Sequence, residues 1–526
     1  MTADFDVIIV GSGPAGVSAA FPLVAAGKKV LMVDGGNSPA GELPRQPFLA
    51  AREYDQEQWK WMIGSDLHAL GMHDAISPKM RVPAHAKVFS EFNAANYINS
   101  ENFVAIGSLA QGGLSNAWGC GVARFSSAEL EEFPCLPSEL ENAYRLVAQR
   151  IGISGPKADD LSDYFGLDSW SQPPIAMDAL HEHMYSRYEK HRQSLNGTGF
   201  RLGRSRIAVL SQDLGRRQGC NNQGNCLYGC DRGALYSAST DLAALKLFPN
   251  FYHQTMVVDA LRQGDGHWLI EGAAGKQVKS ISGSRILLAA GTLATTRLAL
   301  NALQLQQSVR LLSCPTAAFV LCLPSSFGAA RHTGFGLGQL SFVLSLRDDI
   351  HVLGSTFATS GLPISEFVNY LPLRRRYGVD LLKALLSSCV VGNLFLPGNL
   401  SDNHVSVDGT GALHIKGGFK EETGELLKTA GSRLRKAYAQ LGAYMLPMSF
   451  TPAKAGADIH YAGTLPMRIN PVPGETGSTG ELFGLAGVHV VDGAALPLLS
   501  EKSHTLTIMA NATRIGERLA VGYHCA

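Results

Sequence analysis

The stretch FDVIIVGSGPAGVSAAFPLVAAGKKVLMVDGG, Phe5–Gly36, decides the fold. Its segment Asp6–Val10 is apolar after the first residue, which is typical of a parallel strand that is buried on both faces. After a turn rich in glycine, a helix is predicted over Val17–Ala26, and a second strand over Lys29–Val33 runs up to Asp34. Strand, glycine turn, helix, strand and acid, in this order, predict the first βαβ unit of a Rossmann-type sheet.

The turn of this unit has the residue types that a dinucleotide requires. Gly11 permits the tight turn, Gly13 lets the backbone approach a pyrophosphate, and Gly16 lets the helix pack against the strand. The helix N-terminus offers free N–H groups to the phosphates. An acid at Asp34 suits the free 2′-hydroxyl of an adenosine ribose, which indicates FAD or NAD rather than NADP. A glycine turn without a ligand is the alternative. The predicted cofactor contacts are Gly11, Ser12, Gly13, Pro14, Ala15, Gly16, Asp34 and Gly35.

Further stretches look like strand-to-helix turns of the same sheet. Ser284–Leu300 passes from an apolar strand into a helix, and the strand Val488–Val491 runs into Asp492. Because these pieces lie far apart in the chain, they favour a discontinuous domain that holds the long FAD molecule over a compact NAD domain. Asp492 is expected near the ribityl-phosphate end, with a helix cap as its alternative role. The contacts expected from these pieces, including a strand residue beside the adenine, are Val258, Ala290, Gly291, Asp492 and Gly493.

Composition excludes several classes of protein. The chain has 526 residues, a net charge of +1 and no basic run with interleaved aromatic residues, so no nucleic-acid partner is expected. It contains no uninterrupted apolar run of about 18 residues, the length that spans a bilayer. Nine cysteines in so long a chain predict reduced thiols rather than a disulfide scaffold. The start MTADFDVIIVGSG lacks the pattern of a secretory signal, so a cytoplasmic location is expected.

Several motifs resemble the glucose–methanol–choline family of FAD-dependent oxidoreductases, and the resemblance touches most of the chain. Gly107–Gly119, GSLAQGGLSNAWG, resembles the family's first signature, and AAGTLATTRLAL within Ser284–Leu300 resembles the second. His460–Met467, HYAGTLPM, resembles the HxxGTxxM segment and is followed by VVDGAALP and SHTLTIMANA. The resemblance implies further contacts to the flavin from Gly112, Gly113, Ser115, Asn116, Ala117, Trp118, Thr505 and Leu506.

The chain also departs from the family pattern. Many members have an asparagine where this chain has Trp118, and GGLSNAWG is closer to the pyranose-oxidase-like branch. In that branch a histidine of this loop can bind the flavin covalently, but Ala117 stands at the matching position, so the resemblance implies non-covalent FAD. No motif between about Ser308 and Lys454 matches a particular substrate.

Two histidines are the expected catalytic residues. Oxidation of an alcohol removes a hydroxyl proton and a hydride, and neutral imidazole, with an ordinary pKa of about 6.5, is a suitable proton acceptor. The resemblance places His460 as this base and His504, where many relatives have asparagine, against the same alcohol oxygen. A buried structural histidine is the alternative for each.

A sugar or polyol is the expected substrate, by analogy with the pyranose-oxidase-like loop. The electron acceptor, whether oxygen, a quinone or another compound, stays open. Two rival functions remain: a flavin-dependent desaturase or isomerase acting on an apolar or lipid-linked substrate, and a non-catalytic flavin-bearing binding protein.

Two other segments have open interpretations. Cys220, Cys226 and Cys230 could form a metal site, a redox-active or disulfide pair, or a structural loop near the active site. The structural loop is favoured and no metal site is predicted, because no fourth ligand is obvious. Arg374–Arg376 precede the largely apolar segment Asp380–Pro397, for which a helix and strand of a substrate domain are favoured over membrane-surface contact.

The expected fold is α/β, with a Rossmann-type FAD-binding domain and an interleaved substrate domain of antiparallel sheet and helices. Asn399–Val407 is expected to lead into a strand of that antiparallel sheet. The FAD-binding domain is assigned to residues 1–40, 95–125, 205–300 and 455–526, and the substrate domain with its cap segments to residues 41–94, 126–204 and 301–454.

Overall fold

The computed structural model describes residues 3–38, 43, 46–71, 76–331, 333–362, 368 and 371–522, with only the backbone of Phe48 and Arg52. The strands are β1 Phe5–Val10, β2 Val30–Asp34, β3 Ile98–Glu101, β4 Ile153–Ser154, β5 Ser171–Gln172, β6 Phe200–Arg204, β7 Phe251–Thr255, β8 Val257–Gln263, β9 Trp268–Ala274, β10 Gln277–Leu288, β11 Val309–Leu311, β12 Thr316–Cys322, β13 Gly338–Arg347, β14 Ile350–Ala358, β15 Cys389–Phe395, β16 Asn403–Val407, β17 Leu413–Lys416, β18 Tyr444–Met445, β19 Thr451–Pro452 and β20 Val488–Val490. The α-helices are α1 Pro14–Ala25, α2 Phe48–Tyr54, α3 Gln58–Met62, α4 His68–Gly71, α5 Pro78–Arg81, α6 Ala86–Phe89, α7 Phe92–Ala95, α8 Ser127–Leu130, α9 Pro137–Ile151, α10 Ser162–Phe165, α11 Ala179–Gly197, α12 Ala238–Leu245, α13 Thr292–Ala302, α14 Arg375–Leu385, α15 Thr423–Gln440 and α16 Thr505–Ala520. Within these described ranges, no helix is both long and apolar enough to cross a membrane.

A parallel sheet holds the first βαβ unit. Its strands lie in the order β7, β2, β1, β10, β20, and Ile8 of β1 pairs with Leu31 on one side and Ile286 on the other. The first half of β10 pairs antiparallel with β9, which pairs with β8. This arrangement confirms the predicted α/β class with a Rossmann-like dinucleotide-binding sheet. The first helix begins at Pro14 rather than at the predicted Val17, because proline is favoured in the first helical turn.

Three helices from distant parts of the chain cover this sheet. Gly516 lets α16 approach α1 closely, since a methyl group there would lie 2.5 Å from the carbonyl oxygen of Ala19. Helix α9 contacts α16 through a 2.6 Å hydrogen bond between the hydroxyls of Tyr144 and Thr507. The buried core is continuous through these helices and the sheet. This packing fixes the N-terminus of α16 with respect to the parallel strands.

A second large sheet is antiparallel throughout. Its strands lie in the order β18, β12, β15, β14, β13, β6, and β19 also pairs with β12. Helices α11 and α15 cover one face, where Leu394 of β15 is part of their common core. Because side chains alternate along a strand, the next residue, Phe395, points to the opposite face. Arg375–Leu385 is a helix and Cys389–Phe395 a strand of this sheet, as the favoured interpretation of the sequence predicted.

A third sheet of four strands has the order β11, β16, β17, β3. It contains Asn403–Val407, for which a strand of an antiparallel sheet was predicted. This strand, β16, pairs antiparallel with β11 and β17, and Asn403 donates to the carbonyl oxygen of Leu311 at 3.2 Å. Strand β3, which was assigned to the cofactor domain, pairs with β17 in the same sheet.

Candidate active site

The glycine turn after β1 has one open position between two tightly packed ones. A methyl group at Gly11 would lie 2.2 Å from the carbonyl oxygen of Ala289, and one at Gly16 would lie 2.0 Å from the carbonyl oxygen of Gly11. At Gly13 a methyl group would meet no atom within 4 Å. The turn is therefore tightly packed at Gly11 and Gly16, whereas the backbone at Gly13 is accessible.

The loop that contains Gly112 and Gly113 lies against this turn. The N–H of Gly112 donates to Oγ of Ser12 at 3.1 Å, and Ser12 donates to the Asp34 carboxylate. A methyl group at Gly113 would lie 3.3 Å from Cα of Gly13. One hydroxyl thus connects three of the segments that the sequence analysis assigned to the cofactor.

The rest of the loop is held by its own polar side chains. Ser115 accepts a 2.9 Å hydrogen bond from the N–H of Ala238, and Asn116 donates to the carbonyl oxygen of Gly113 at 2.9 Å. The indole N–H of Trp118 donates to the carbonyl oxygen of Tyr236 at 2.8 Å. These contacts tie both ends of the loop around Ala117 to the segment before α12.

Asp34 has more partners than the sequence suggested. Its carboxylate accepts from the N–H of Gly36 at 2.8 Å and lies 3.0 Å from Nε2 of His253 on the adjacent strand β7. Its carbonyl oxygen accepts from the N–H of Met256 at 2.7 Å, which brings the start of β8, with the buried Val258, next to it. His253 was not predicted, because nothing in its sequence context separates it from an ordinary strand residue.

Asp492 joins two of the predicted turns. Its Oδ2 accepts from the N–H of Gly291 at 2.9 Å and from the hydroxyl of Thr295 at 2.5 Å, while Oδ1 accepts from the N–H of Ala494 at 3.0 Å. Burial raises the pKa of this carboxyl to about 6. The side chain of Asp492 therefore caps the short turn Gly493–Ala495 and also binds the turn between β10 and α13.

Three helices begin at this edge without a side-chain cap. The cap positions of α1, α13 and α16 are Gly13, Gly291 and His504, and none of their side chains accepts a hydrogen bond from the first turn. Free N–H groups at helix N-termini attract anions such as phosphate. A methyl group at Gly291 would also meet no atom within 4 Å. The open backbone and free donors fit the diphosphate of a dinucleotide.

His460 and His504 lie side by side. Their ring centroids are 5.1 Å apart, and Phe395 of the antiparallel sheet lies 4.9 Å from the ring of His460. Burial lowers the pKa of His460 to about 4, and burial together with the neighbouring His460 lowers the pKa of His504. Among the described residues, Nδ1 of each ring is buried without a hydrogen-bond partner. Both imidazoles are therefore neutral at pH 7, and Thr505 and Leu506 follow directly in the first turn of α16.

Asp458 and Cys314 complete the surroundings of His460. Oδ2 of Asp458 accepts from the backbone N–H of Cys314 at 2.7 Å and from that of His460 at 3.1 Å. Burial raises the pKa of this carboxyl to about 8. Neither residue was predicted from the sequence as part of the site. Asp458 could have been found from its place two residues before His460, but Cys314 lies in a segment without a motif.

The cysteine loop lies beside the Trp118 segment. Burial raises the pKa of Cys226 to about 12, so its thiol is protonated at pH 7. Cys220, Cys226 and Cys230 are all free thiols, and no disulfide joins them in the part of the chain that the structure describes. The three thiols do not all lie within 4.8 Å of one another, whereas the ligand atoms of Cys314, Asp458 and His460 do.

Comparison with known proteins adds one finding. A family model described as pyridine nucleotide-disulphide oxidoreductase matches residues 5–106, which is less than half of the chain. The chain is similar to flavin oxidoreductases. This similarity supports an enzyme with redox chemistry that uses FAD or NAD(P), in agreement with the glycine turn and the parallel sheet. A search of curated proteins gave no match.

Proposed function

We propose that this protein oxidises an alcohol to a carbonyl compound with non-covalently bound FAD, in the manner of the glucose–methanol–choline family. The observation that carries the proposal is the pair of neutral imidazoles of the half-buried His460 and the buried His504, with ring centroids 5.1 Å apart at the uncapped start of α16. An alcohol oxygen that reaches both rings finds a proton acceptor on one and a hydrogen-bond donor on the other.

The chain's residues fit FAD. The accessible backbone at Gly13 and Gly291 and the uncapped N-termini of α1 and α13 provide for its diphosphate, and Asp34 provides for a ribose. Ala117 has no nucleophile that could bond to a flavin. We assign the cofactor domain to residues 1–40, 95–125, 205–300 and 455–526. When bound, FAD supplies the two-electron acceptor for the hydride.

The protein's own task is to hold and move a proton. His460 takes the hydroxyl proton on a ring nitrogen, since its neutral form is the stable one in this buried position. His504 donates to the alcohol oxygen from one ring nitrogen and stabilises its developing charge. Phe395 packs beside His460 and helps to exclude water from the site. Asp458 holds the backbone of His460 in place.

A panel of alcohols tests this function. The protein, reconstituted with FAD, is mixed without oxygen with sugars, polyols, sterols and aliphatic alcohols while the flavin band near about 450 nm is followed. Sugars or polyols should bleach the band, because they are the substrate class that the pyranose-oxidase-like loop suggests. Bleaching by apolar compounds alone would favour the desaturase or isomerase function. A bound flavin that nothing reduces would favour the non-catalytic binding protein.

The pH dependence of flavin reduction reports on the base. Burial lowers the pKa of His460 from 6.5 to about 4, so the neutral, proton-accepting form persists until the pH falls to about 4. The rate of flavin reduction at limiting substrate should therefore stay constant near pH 6.5 and should decrease only as the pH falls through about 4. Rapid pH-jump mixing separates this effect from unfolding. A decrease centred near the ordinary histidine pKa would contradict the assignment of a desolvated base.

A further inference from the structure

We propose that Cys314, Asp458 and His460 form a binding site for a zinc-type divalent ion, and that the ion inhibits the enzyme by occupying its base. The three side chains offer a thiol, a carboxylate and an imidazole whose ligand atoms all lie within 4.8 Å of one another. The binding site does not depend on the proposed function, whereas the inhibitory role rests on the proposed function of His460.

The donor set selects the kind of ion. Magnesium and calcium prefer oxygen ligands, whereas sulfur with imidazole nitrogen suits zinc. Zinc binds sulfur at about 2.3 Å and nitrogen or oxygen at about 2.0–2.2 Å, so two such bonds span at most about 4.5 Å. The three ligand atoms thus reach one ion after small rotations of their side chains.

Unpartnered atoms give an independent indication of a ligand. Within the described chain, Oδ1 of Asp458 and Nδ1 of His460 are buried and have no hydrogen-bond partner. Buried polar atoms are normally paired, and leaving one unpaired destabilises the protein. Cys314 is also buried, and its thiol donates only to the carbonyl oxygen of Ser500 at 3.3 Å. An ion at this point would satisfy both orphaned atoms.

Binding exchanges two protons for the metal. The S–H bond of Cys314 and the O–H bond of the Asp458 carboxyl break, bonds from sulfur and oxygen to zinc form, both protons pass to solvent, and no atom changes its oxidation state. The lone pair of His460 that binds zinc can no longer accept a proton from an alcohol. Three protein ligands leave the fourth position of a tetrahedral zinc ion to water.

Cobalt(II) titration of the FAD-reconstituted protein tests the site, because thiolate-bound cobalt absorbs in the near ultraviolet. One equivalent should give this absorption, and Cys314→Ser or Asp458→Asn should weaken binding at least about 100-fold, more than second-shell changes do. Asp458→Asn keeps an oxygen for both backbone N–H groups, so it remains decisive if Cys314→Ser does not fold. Cys226→Ser is the matched control, since it removes a buried thiol of the cysteine loop.

The control separates the two groups of thiols. Absorption that persists in Cys314→Ser and is lost in Cys226→Ser would place the ion in the cysteine loop and overturn the proposal, as would the absence of cobalt binding. In a protein that bleaches with an alcohol, zinc should slow bleaching competitively in the wild type and not in Asp458→Asn. Zinc that binds without slowing it would overturn the inhibitory role. If no alcohol bleaches the flavin, the proposed function is refuted, whereas the cobalt titration still tests the metal site.

Discussion

Replacement of His460 by alanine should lower the rate of flavin reduction by alcohol about 10²- to 10⁴-fold, the usual contribution of a positioned base. The ring lies 5.1 Å from that of His504, and burial keeps it in the proton-accepting form. The neighbouring Asp458 carboxyl does not replace it, because burial holds this carboxyl in its protonated form up to about pH 8. Anaerobic stopped-flow spectroscopy with a reducing alcohol measures the rate directly.

A second buried histidine provides the control. His181 is fully buried at the start of α11 and bonds to Asp178 at 2.8 Å, in the helical layer of the antiparallel sheet. His181→Ala removes the same side chain from a more buried position, so it should lower thermal stability yet keep flavin reduction within a few-fold of the wild type. An unchanged rate in His460→Ala would remove the histidine from the chemistry and favour a desaturase or isomerase.

Replacement of Gly16 by alanine should prevent the cofactor sheet from forming normally. The added methyl group would lie 2.0 Å from the carbonyl oxygen of Gly11 and 3.4 Å from Cβ of Ala289. Such overpacking against backbone exceeds the usual 1–3 kcal/mol of a crowded side chain, so a loss of about 3 kcal/mol or more in unfolding free energy is expected. Chemical denaturation of the apoprotein measures it.

Gly13→Ala in the same turn separates folding from binding. Its methyl group meets no atom of the protein within 4 Å, so apoprotein stability should change by no more than the ~1 kcal/mol of a helix-cap substitution. A dinucleotide approaching this backbone would meet the methyl group, and a loss of about 1–3 kcal/mol weakens its binding roughly 5- to 150-fold. Equal FAD affinity in Gly13→Ala and the wild type would place the diphosphate elsewhere.

Local signals in the sequence were sufficient for the parallel sheet. Apolar strands that run into Gly11, Ala290 and Asp492 gave the right elements, because strand burial and glycine turns depend on neighbouring residues. The sequence could not identify the sheet that receives Asn403–Val407, since an alternating pattern predicts a strand and not its partner. The same limit applies to pairs of side chains from different elements.

The environment of the histidines illustrates this limit. The pairing of His460 with His504 was expected only through a family resemblance, and their role in catalysis stays a prediction. Cys314 and Phe395 reach His460 from segments without a motif, because the pairing of β12 with β15 and their packing against the cofactor layer set their positions. A contact between residues of two different sheets leaves no recognisable pattern in the sequence of either strand.

The pairing of distant strands has a consequence for biosynthesis. Strand β1 and helix α1 are synthesised before their partners, since β1 pairs with β10, β10 pairs with β20, and α16 covers α1. At about 5–20 residues per second, synthesis of this chain takes roughly 25–100 s. For much of that time the apolar strand and helix lack part of their final neighbours, and the cofactor sheet with its covering helices is complete only after translation has passed α16.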